Sequence, residues 1–491
     1  MFDFDTFAET IDDITKVAEE QTTPAELVTA LLPHQERVVD RMRKSPGLVV
    51  AHGTGSGKTF TSIAAAVKLR PDHVEVLVPA ALQDNYKKEI RKHTTGDLPV
   101  RVGSLQKAVV NRKIEASDLL IVDEAHKARD PKSKTFAVLR DAIPVTEKRM
   151  LLTASPVYNK PEDVAPLVNL AAGDKVLPTG KEFEKKYISS PDESWKRFVP
   201  FVTVGPGIKN KRELRNILQT WVDYHKDESG EFPDKTEKRI RVAMTKEQTK
   251  VHNAAQSALP PLTAIRMKRG LPPNKQDLSA INKFESQSRQ ASVSMRAFTK
   301  DGTPEATPKV QAAAASLARA ADKNPNHRAL VYSNYLASLD DYEREMERRG
   351  IPVARIQGGQ KQQERRQIVS DFNSGKVKAL LVSSAGGEGF DLKGTRQVQI
   401  LEPHWNDEKL RQVIGRAIRH KSHSHLPEEE RSVKVERYIA APRSLFGMKR
   451  RGVEDYLQDM SDYKSRLNDK VIALMAKKAA AAMTVEVHTV T

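Results

Sequence analysis

Three short stretches of this chain hold residue types whose order could do phosphate chemistry. In LVVAHGTGSGKTFTS an apolar run, Leu48 to Ala51, leads into Gly53, Thr54, Gly55, Ser56 and Gly57, and then into Lys58 and Thr59. Glycines there let main-chain N–H groups converge on a phosphate chain, and the start of a following helix adds positive potential. Lys58 would neutralise β- and γ-phosphates, and the Thr59 hydroxyl would ligate magnesium. The strict GxxxxGK[ST] pattern departs at its first glycine, where this chain has His52. The second stretch is DLLIVDEAHKARD, in which Leu119 to Val122 form the continuous apolar run of a strand buried on both faces. Ligands bind at the carboxyl ends of strands in open α/β sheets, so Asp123 is placed to hold a magnesium shell and Glu124 to orient and deprotonate a water. The third stretch, RQVIGRAIRH, spaces Arg416 and Arg419 three apart, on one face if the segment is helical. Alone, it would be a solvated basic face.

Those residues need strands and helices to hold them. The first block reads as strand, glycine-rich turn and helix, followed by further alternation. A second alternation starts near residue 327 with RALVYSNY, VARIQGG, ALLVSSAGGEGFDL and QVQILEPHWN, and it has no second phosphate loop. Two such blocks with one loop predict an α/β fold of two tandem RecA-like (P-loop NTPase) lobes with parallel sheets. The 491 residues leave room for this, and the charged fraction of 30 % suits long polar helices. The absence of cysteine excludes disulfides, thiolate metal sites and cysteine nucleophiles. His404, His420, His423 and His425 lie close in sequence, but with no cysteine and no acid at ligand spacing they do not read as a metal site. No run approaches the roughly 18 apolar residues of a membrane span, and MFDFDTFAET is acidic where a signal peptide would be basic. An intracellular protein is expected, in the cytoplasm or nucleus of a host or in a bacterial cytoplasm. A formal charge of +17 points to a polyanionic partner, nucleic acid first.

TGSGKT, DEAH and LLTASPVYN resemble motifs I, II and III of the superfamily 2 helicases and translocases. The resemblance implies that His126, Thr153 and Ser155 couple nucleotide state to the nucleic-acid site. LLPHQERVVDRM is similar to the family's adenine-reading segment, which would make Gln35 the adenine contact. VLVPAALQDNYKKEI and VGSLQ lie where the family has motifs Ia and Ib, placing Pro79, Ala80 and Ser104 against a nucleic-acid backbone. Ordinary strand-to-helix turns account for these two segments equally well.

SSAGGEGFDLKGTRQVQILEPHWN resembles motif V and its continuation in the Swi/Snf-like branch, running through Glu402, Pro403, Trp405 and Asn406. It implies that Ser384, with Ser333 and Asn334 after the first strand of the block, meets nucleic acid, and that Gly389 and Asp391 meet nucleotide. QVIGRAIRH matches motif VI, giving Gln412, Arg416 and Arg419 catalytic roles. The end of the chain is similar to helicase-like proteins of large DNA viruses and phages. From Pro261 to Lys300 basic residues outnumber acidic ones with Phe284 and Phe298 interleaved, which reads equally as a solvated helical face or a phosphate-tracking surface.

The expected organisation is an N-terminal segment over 1–30 and a nucleotide-binding lobe over 31–235 with a helical insertion at 161–235. A second lobe follows over 236–455 with an insertion at 246–305, then a C-terminal bracing helix and tail over 456–491. The expected function is a nucleic-acid-dependent ATPase using ATP and Mg2+ that translocates on double-stranded DNA, with replication, repair or transcription proteins as candidate partners. A strand-separating DNA or RNA helicase, and a non-catalytic nucleic-acid clamp or transcription-complex subunit, are the alternatives.

Overall fold

The computed structural model describes residues 24–53, 55–189, 207–226, 232–261, 264, 278–299, 305–383, 391–403, 407–419, 421–443 and 452–476. They fall into two units. The first holds the described residues up to 189, 207–226 and those from 470, and the second holds 232–469.

In the first unit, Gly47–His52 (β1) is buried at every position, as a strand covered by helices on both faces must be. Val74–Val78 (β2), Val100–Ser104 (β3), Ser117–Val122 (β4), Thr146–Thr153 (β5) and Val222–His225 (β6) join it in one parallel sheet of order β6-β1-β5-β4-β2-β3. Pro33–Lys44 (α1) buries His34, Gln35, Val38, Val39 and Met42, a stripe at helical spacing. Its Val38 and Met42 pack with Leu48, Val50 and Ile63 in the core. Burying each such side chain fully stabilises by roughly 1.5–3 kcal/mol. Ile63 lies on Lys58–Leu69 (α2), whose alanines allow close approach to the sheet. Gln83–His93 (α3), Leu105–Asn111 (α4), Lys134–Asp141 (α5), Val164–Ala172 (α6), Lys181–Tyr187 (α7) and Lys211–Trp221 (α8) complete the layers.

The second unit has its own six-stranded parallel sheet. Its strands are Asp234–Ala243 (β7), Ala329–Tyr332 (β8), Val353–Ile356 (β9), Ala379–Val382 (β10), Gln397–Ile400 (β11) and Ser432–Ala441 (β12), in the order β7-β12-β11-β8-β10-β9. Alternate residues of a strand face opposite ways, and β8 serves two cores accordingly. Ala329 and Val331 meet Pro308–Lys323 (α11) and Leu336–Glu347 (α12), while Leu330 and Tyr332 meet Phe372 of Gln362–Asn373 (α13) and Leu410 of Asp407–Ala417 (α14). The chain is thus α/β, with RecA-like lobes in tandem.

Lys246–Ser257 (α9) and Leu278–Val293 (α10) precede α11. Phe284 of α10 is buried against Ala255, Leu259 and Leu457. It is therefore a core residue and no part of a phosphate-tracking surface, because its ring area is worth more out of water than beside charged phosphates. Leu457 belongs to Val453–Met475 (α15), which starts with Glu454 paired to Lys309 and adds Arg241–Asp455 and Arg239–Asp462 bridges at 3.0 Å. In the first unit, Gln219 Nε2 donates to the carbonyls of Leu474 and Ala476 at 3.2 and 3.1 Å. No helix among the described residues is long and apolar enough to cross a membrane.

Candidate active site

In a parallel sheet the carboxyl ends of the strands share one edge. At that edge of the first sheet β1 runs into the glycine-rich loop, β4 into Asp123 and Glu124, and β5 ends at Thr153. Gly55 and Gly57 take φ of 88° and 77°, left-handed values that a side chain would disfavour. At Gly57 a Cβ would also lie 2.7 Å from Gln35 Nε2. Lys58 Nζ donates to the carbonyls of His52 and Gly53, both at 2.9 Å, so the ammonium is held over the loop by two neutral acceptors. Gln35 is buried, its Oε1 accepting Leu32 N–H at 2.9 Å and its amide against the loop at Gly57. Beside it, His34 Nε2 bonds Ser56 O at 3.0 Å. Thr59 follows Lys58 in the first turn of α2.

His52, the departure from the phosphate-loop pattern, is fully buried and has a specific partner. Its Nε2 lies 2.8 Å from Asp223 Oδ1 on β6. Arg37 grips the same carboxylate through two bonds of 2.9 and 2.8 Å, and Arg41 adds a third at 3.0 Å. Burial alone would raise the Asp223 carboxyl, but bonds from His52 and Arg37, with the Arg37 charge, outweigh it and hold the carboxyl below the ordinary range. Burial lowers the His52 imidazole against the opposing pull of Asp223. His225 stacks on His34 with ring centroids 3.9 Å apart, and its carbonyl accepts Gly53 N–H at 3.0 Å. The loop entrance is thereby tied to α1 and β6. Sequence reasoning missed Asp223, Arg37 and Arg41, because VDYH and PHQERVVDR look like any strand end and amphipathic helix.

The acid pair follows β4. Asp123 is raised to about 6 by burial and then by the neighbouring Glu124 charge, with Lys58 acting in the opposite direction. Asp123 Oδ1 accepts Glu124 N–H at 2.9 Å. Glu124 has φ of 52°, a left-handed conformation costing roughly 1–2 kcal/mol for a residue with a Cβ. His126 Nδ1 lies 3.2 Å from Glu124 Oε2 and 3.5 Å from Thr153 Oγ1, and Thr153 Oγ1 accepts Ser155 N–H at 3.0 Å. Motifs II and III therefore meet through His126. Tyr158 stacks on the His126 ring, a contact with no signal in the sequence.

Lys58, Thr59 and Asp123 form a set with the right chemistry for a magnesium-bound triphosphate. A primary ammonium sits on displaceable carbonyls, and a hydroxyl and a carboxylate offer hard oxygen ligands. Pro79 and Ala80 follow β2, and Ser104 ends β3 and caps α4. Gln106 Oε1 accepts from both Ala80 N–H at 3.1 Å and Ser104 Oγ at 3.2 Å, bringing these residues together.

In the second unit Ser333 and Asn334 follow β8 and are held by Glu402. Its Oε1 accepts Asn334 N–H at 2.5 Å and its Oε2 accepts Ser333 Oγ at 2.9 Å. Burial raises the Glu402 carboxyl, with the Arg289 charge opposing. Gln412 and Arg416 lie on α14, which ends at Ala417. The expectation that Arg416 and Arg419 share one helical face is therefore corrected. The last turn closes with Ile418 N–H on Ile414 O, and the chain then turns, with Arg419 N–H on Ser422 Oγ at 3.3 Å. Arg419 pairs with Asp391. His423 bonds Ser422 and the carbonyl of Thr395, and no group of metal-ligating residues occurs among the described residues. Thr54, Ser384, Gly389, His404, Trp405, Asn406 and His420 lie outside the described residues.

The SNF2-related domain family matches residues 102–301, and the helicase conserved C-terminal domain family matches residues 309–421. A protein of Acanthamoeba polyphaga mimivirus named as an ATP-dependent RNA helicase is 28% identical over 450 residues, covering 89% of this chain and 94% of its own length. A protein of African swine fever virus named as a termination factor NPH-I homolog is 38% identical over 110 residues, 21% of this chain and 16% of its own length. Among solved structures, the Hef helicase domain of Pyrococcus furiosus is similar with a TM-score of 0.48 and 16% identity, covering 83% of this chain and 94% of that one.

Proposed function

Because the chain belongs to the superfamily 2 helicase-type ATPases of the Swi/Snf-like branch and is an ATP-hydrolysing enzyme of that kind, we propose that it is a motor that translocates on double-stranded DNA. The observation that carries the proposal is the gathering of Lys58, Asp123, Glu124, His126 and Thr153 at one edge of one parallel sheet. Lys58 leaves the carbonyls of residues 52 and 53 for the β- and γ-phosphates of ATP. Thr59 and Asp123 would hold Mg2+, which when bound would neutralise charge on those phosphates. Glu124 orients the attacking water and accepts its proton, and Gln35 reads the adenine. Arg416 and Arg419 stabilise charge on the transferring phosphoryl group, Gln412 assists them, and Asp391 pairs with Arg419. Pro79, Ala80, Ser104 and Asn334 contact the nucleic-acid backbone; Ser333, expected to join them, is fully buried with its hydroxyl on Glu402 and instead shapes the turn that carries Asn334.

Duplex DNA is favoured by the resemblance of residues 383–406 to the Swi/Snf-like motif V and by the polar helical segments α9 and α10. The second reading is an RNA-dependent helicase, favoured by the name of the mimivirus relative. Phosphate release measured side by side with duplex DNA, single-stranded DNA and RNA separates them. Strongest stimulation by duplex DNA is expected, and stimulation by RNA alone would replace the proposal with the second reading. Arg419→Ala is expected to lower stimulated hydrolysis by about 10³ or more while leaving ATP affinity within a few-fold.

A further inference from the structure

We propose that Tyr158 is a positioning residue for ATP hydrolysis, holding the His126 imidazole and, through it, the Glu124 carboxylate. The inference rests on the assignment of Glu124 as the base. The rings of Tyr158 and His126 are parallel within 6°, with centroids 5.1 Å apart. This is the offset stack that aromatic quadrupoles favour. On Tyr158 sits a cation as well, with Arg129 Cζ 4.2 Å from the ring centroid. Arg129 Nη1 in turn donates to the main-chain carbonyl of His126 at 3.1 Å. The contacts close a circuit from Arg129 to Tyr158 to the His126 ring and back through the His126 backbone.

The circuit reaches the chemistry through His126. His126 Nδ1 lies 3.2 Å from Glu124 Oε2, and Glu124 stands in a left-handed backbone conformation that its own chain does not favour. A carboxylate in such a place needs its orientation set from outside. Tyr158 can set it because its own position depends on the loop after Thr153. That loop is pinned by Ser155 N–H on Thr153 Oγ1 at 3.0 Å and by Asn159 N–H on Asp163 Oδ2 at 2.6 Å. A displacement of residues 154–159 therefore slides the Tyr158 ring off the His126 face and frees the Glu124 carboxylate to turn. The circuit acts on the acid pair that follows β4, where the water is activated, so its effect is expected on turnover more than on ATP affinity.

The test compares wild type, Tyr158→Phe, Tyr158→Leu, Arg129→Gln and Glu124→Gln as full-length chains. Phosphate release is followed at saturating nucleic acid of the kind that stimulates wild type most, with affinity for a fluorescent ATP analogue and thermal melting measured in parallel. Tyr158→Leu is expected to lower kcat roughly 10- to 100-fold with KM and analogue affinity within about twofold. Tyr158→Phe keeps the ring face and stays within about twofold of wild type. Should Tyr158→Leu fail to melt cooperatively, Arg129→Gln decides, with kcat expected to fall about threefold and affinity unchanged. Wild-type kcat in whichever of these decides, or a fall in analogue affinity matching the fall in kcat, overturns the proposal. Wild-type hydrolysis by Glu124→Gln instead overturns the assignment of the base. A dead Glu124→Gln beside a fully active Tyr158→Leu overturns the Tyr158 role alone.

Discussion

Lys58 and Lys309 are both held by their ammonium groups, in lobes of the same build, yet their surroundings differ in kind. Lys58 bonds two neutral carbonyls at the mouth of a glycine-rich loop, and its charge also acts on the nearby Asp123 carboxyl. Lys309 is sealed from water against both oxygens of Glu454 at 2.6 and 2.8 Å, with side-chain exposures of 1 % and 0 %, and Ser292 and Ala440 bond the same carboxylate. Burial pushes the Lys309 ammonium toward its neutral form, and the Glu454 charge opposes that. A lysine meant to receive a phosphate must sit on partners weak enough to release it. One meant to anchor a helix is given a full counter-charge and taken out of water. Loss of the first should thus damage turnover, and loss of the second should damage folding.

The largest expected effect is at Lys58. Lys58→Ala should cut stimulated phosphate release by at least about 10³, with the thermal midpoint nearly unchanged. At Lys309 the reverse holds. Lys309→Met strands the Glu454 carboxylate and should cost about 3–5 kcal/mol in denaturant unfolding, while phosphate release per folded molecule stays close to wild type. A large loss of turnover by folded Lys309→Met would break the contrast. Asp223→Asn tests the buried charge behind the phosphate loop and should cost about 2–4 kcal/mol at neutral pH, since Arg37 and Arg41 lose their counter-charge and His52 its charged hydrogen-bond partner. Because the folded-state carboxyl is depressed, its stabilisation is fully present above the unfolded value near about 4 and is lost as pH falls through the folded value. Unfolding at pH 7 and pH 3 should therefore show the gap between wild type and Asp223→Asn closing on the acid side. The smallest effect is expected at Ser104, where Ser104→Ala removes an exposed helix cap and should cost about 1 kcal/mol, with nucleic-acid affinity weakened only a few-fold.

The parts of the site that are contiguous in the chain were legible in the sequence. The phosphate loop and the Asp123–Glu124 pair declare themselves because a strand, its terminal residues and the next helix start are neighbours. His52 read only as a departure from a pattern, since its partner Asp223 lies 171 residues away in an ordinary strand end. Tyr158 was invisible for the same reason, as a ring stack has no spacing rule. Arg419 misled because helical periodicity continues past Ala417 in the sequence, whereas the backbone turns to meet Ser422. Phe284 misled because basic neighbours said nothing about the opposite face of its helix. The strand alternation predicted two parallel sheets, but strand order depends on long-range pairing and could not be read.

One feature bears on how the chain is made. Strand β7 is paired along its whole ten-residue length with β12, and its Glu237 meets Arg437, 200 residues further on. At ordinary synthesis rates its partner emerges roughly 10 to 40 s later. Through that interval a bare strand would invite pairing with another chain. Lys235, Glu237, Lys238, Arg239 and Arg241 make this one charged and well hydrated, a poor template for aggregation. The second sheet is thus completed late on the ribosome, and the waiting strand is protected by its own charge.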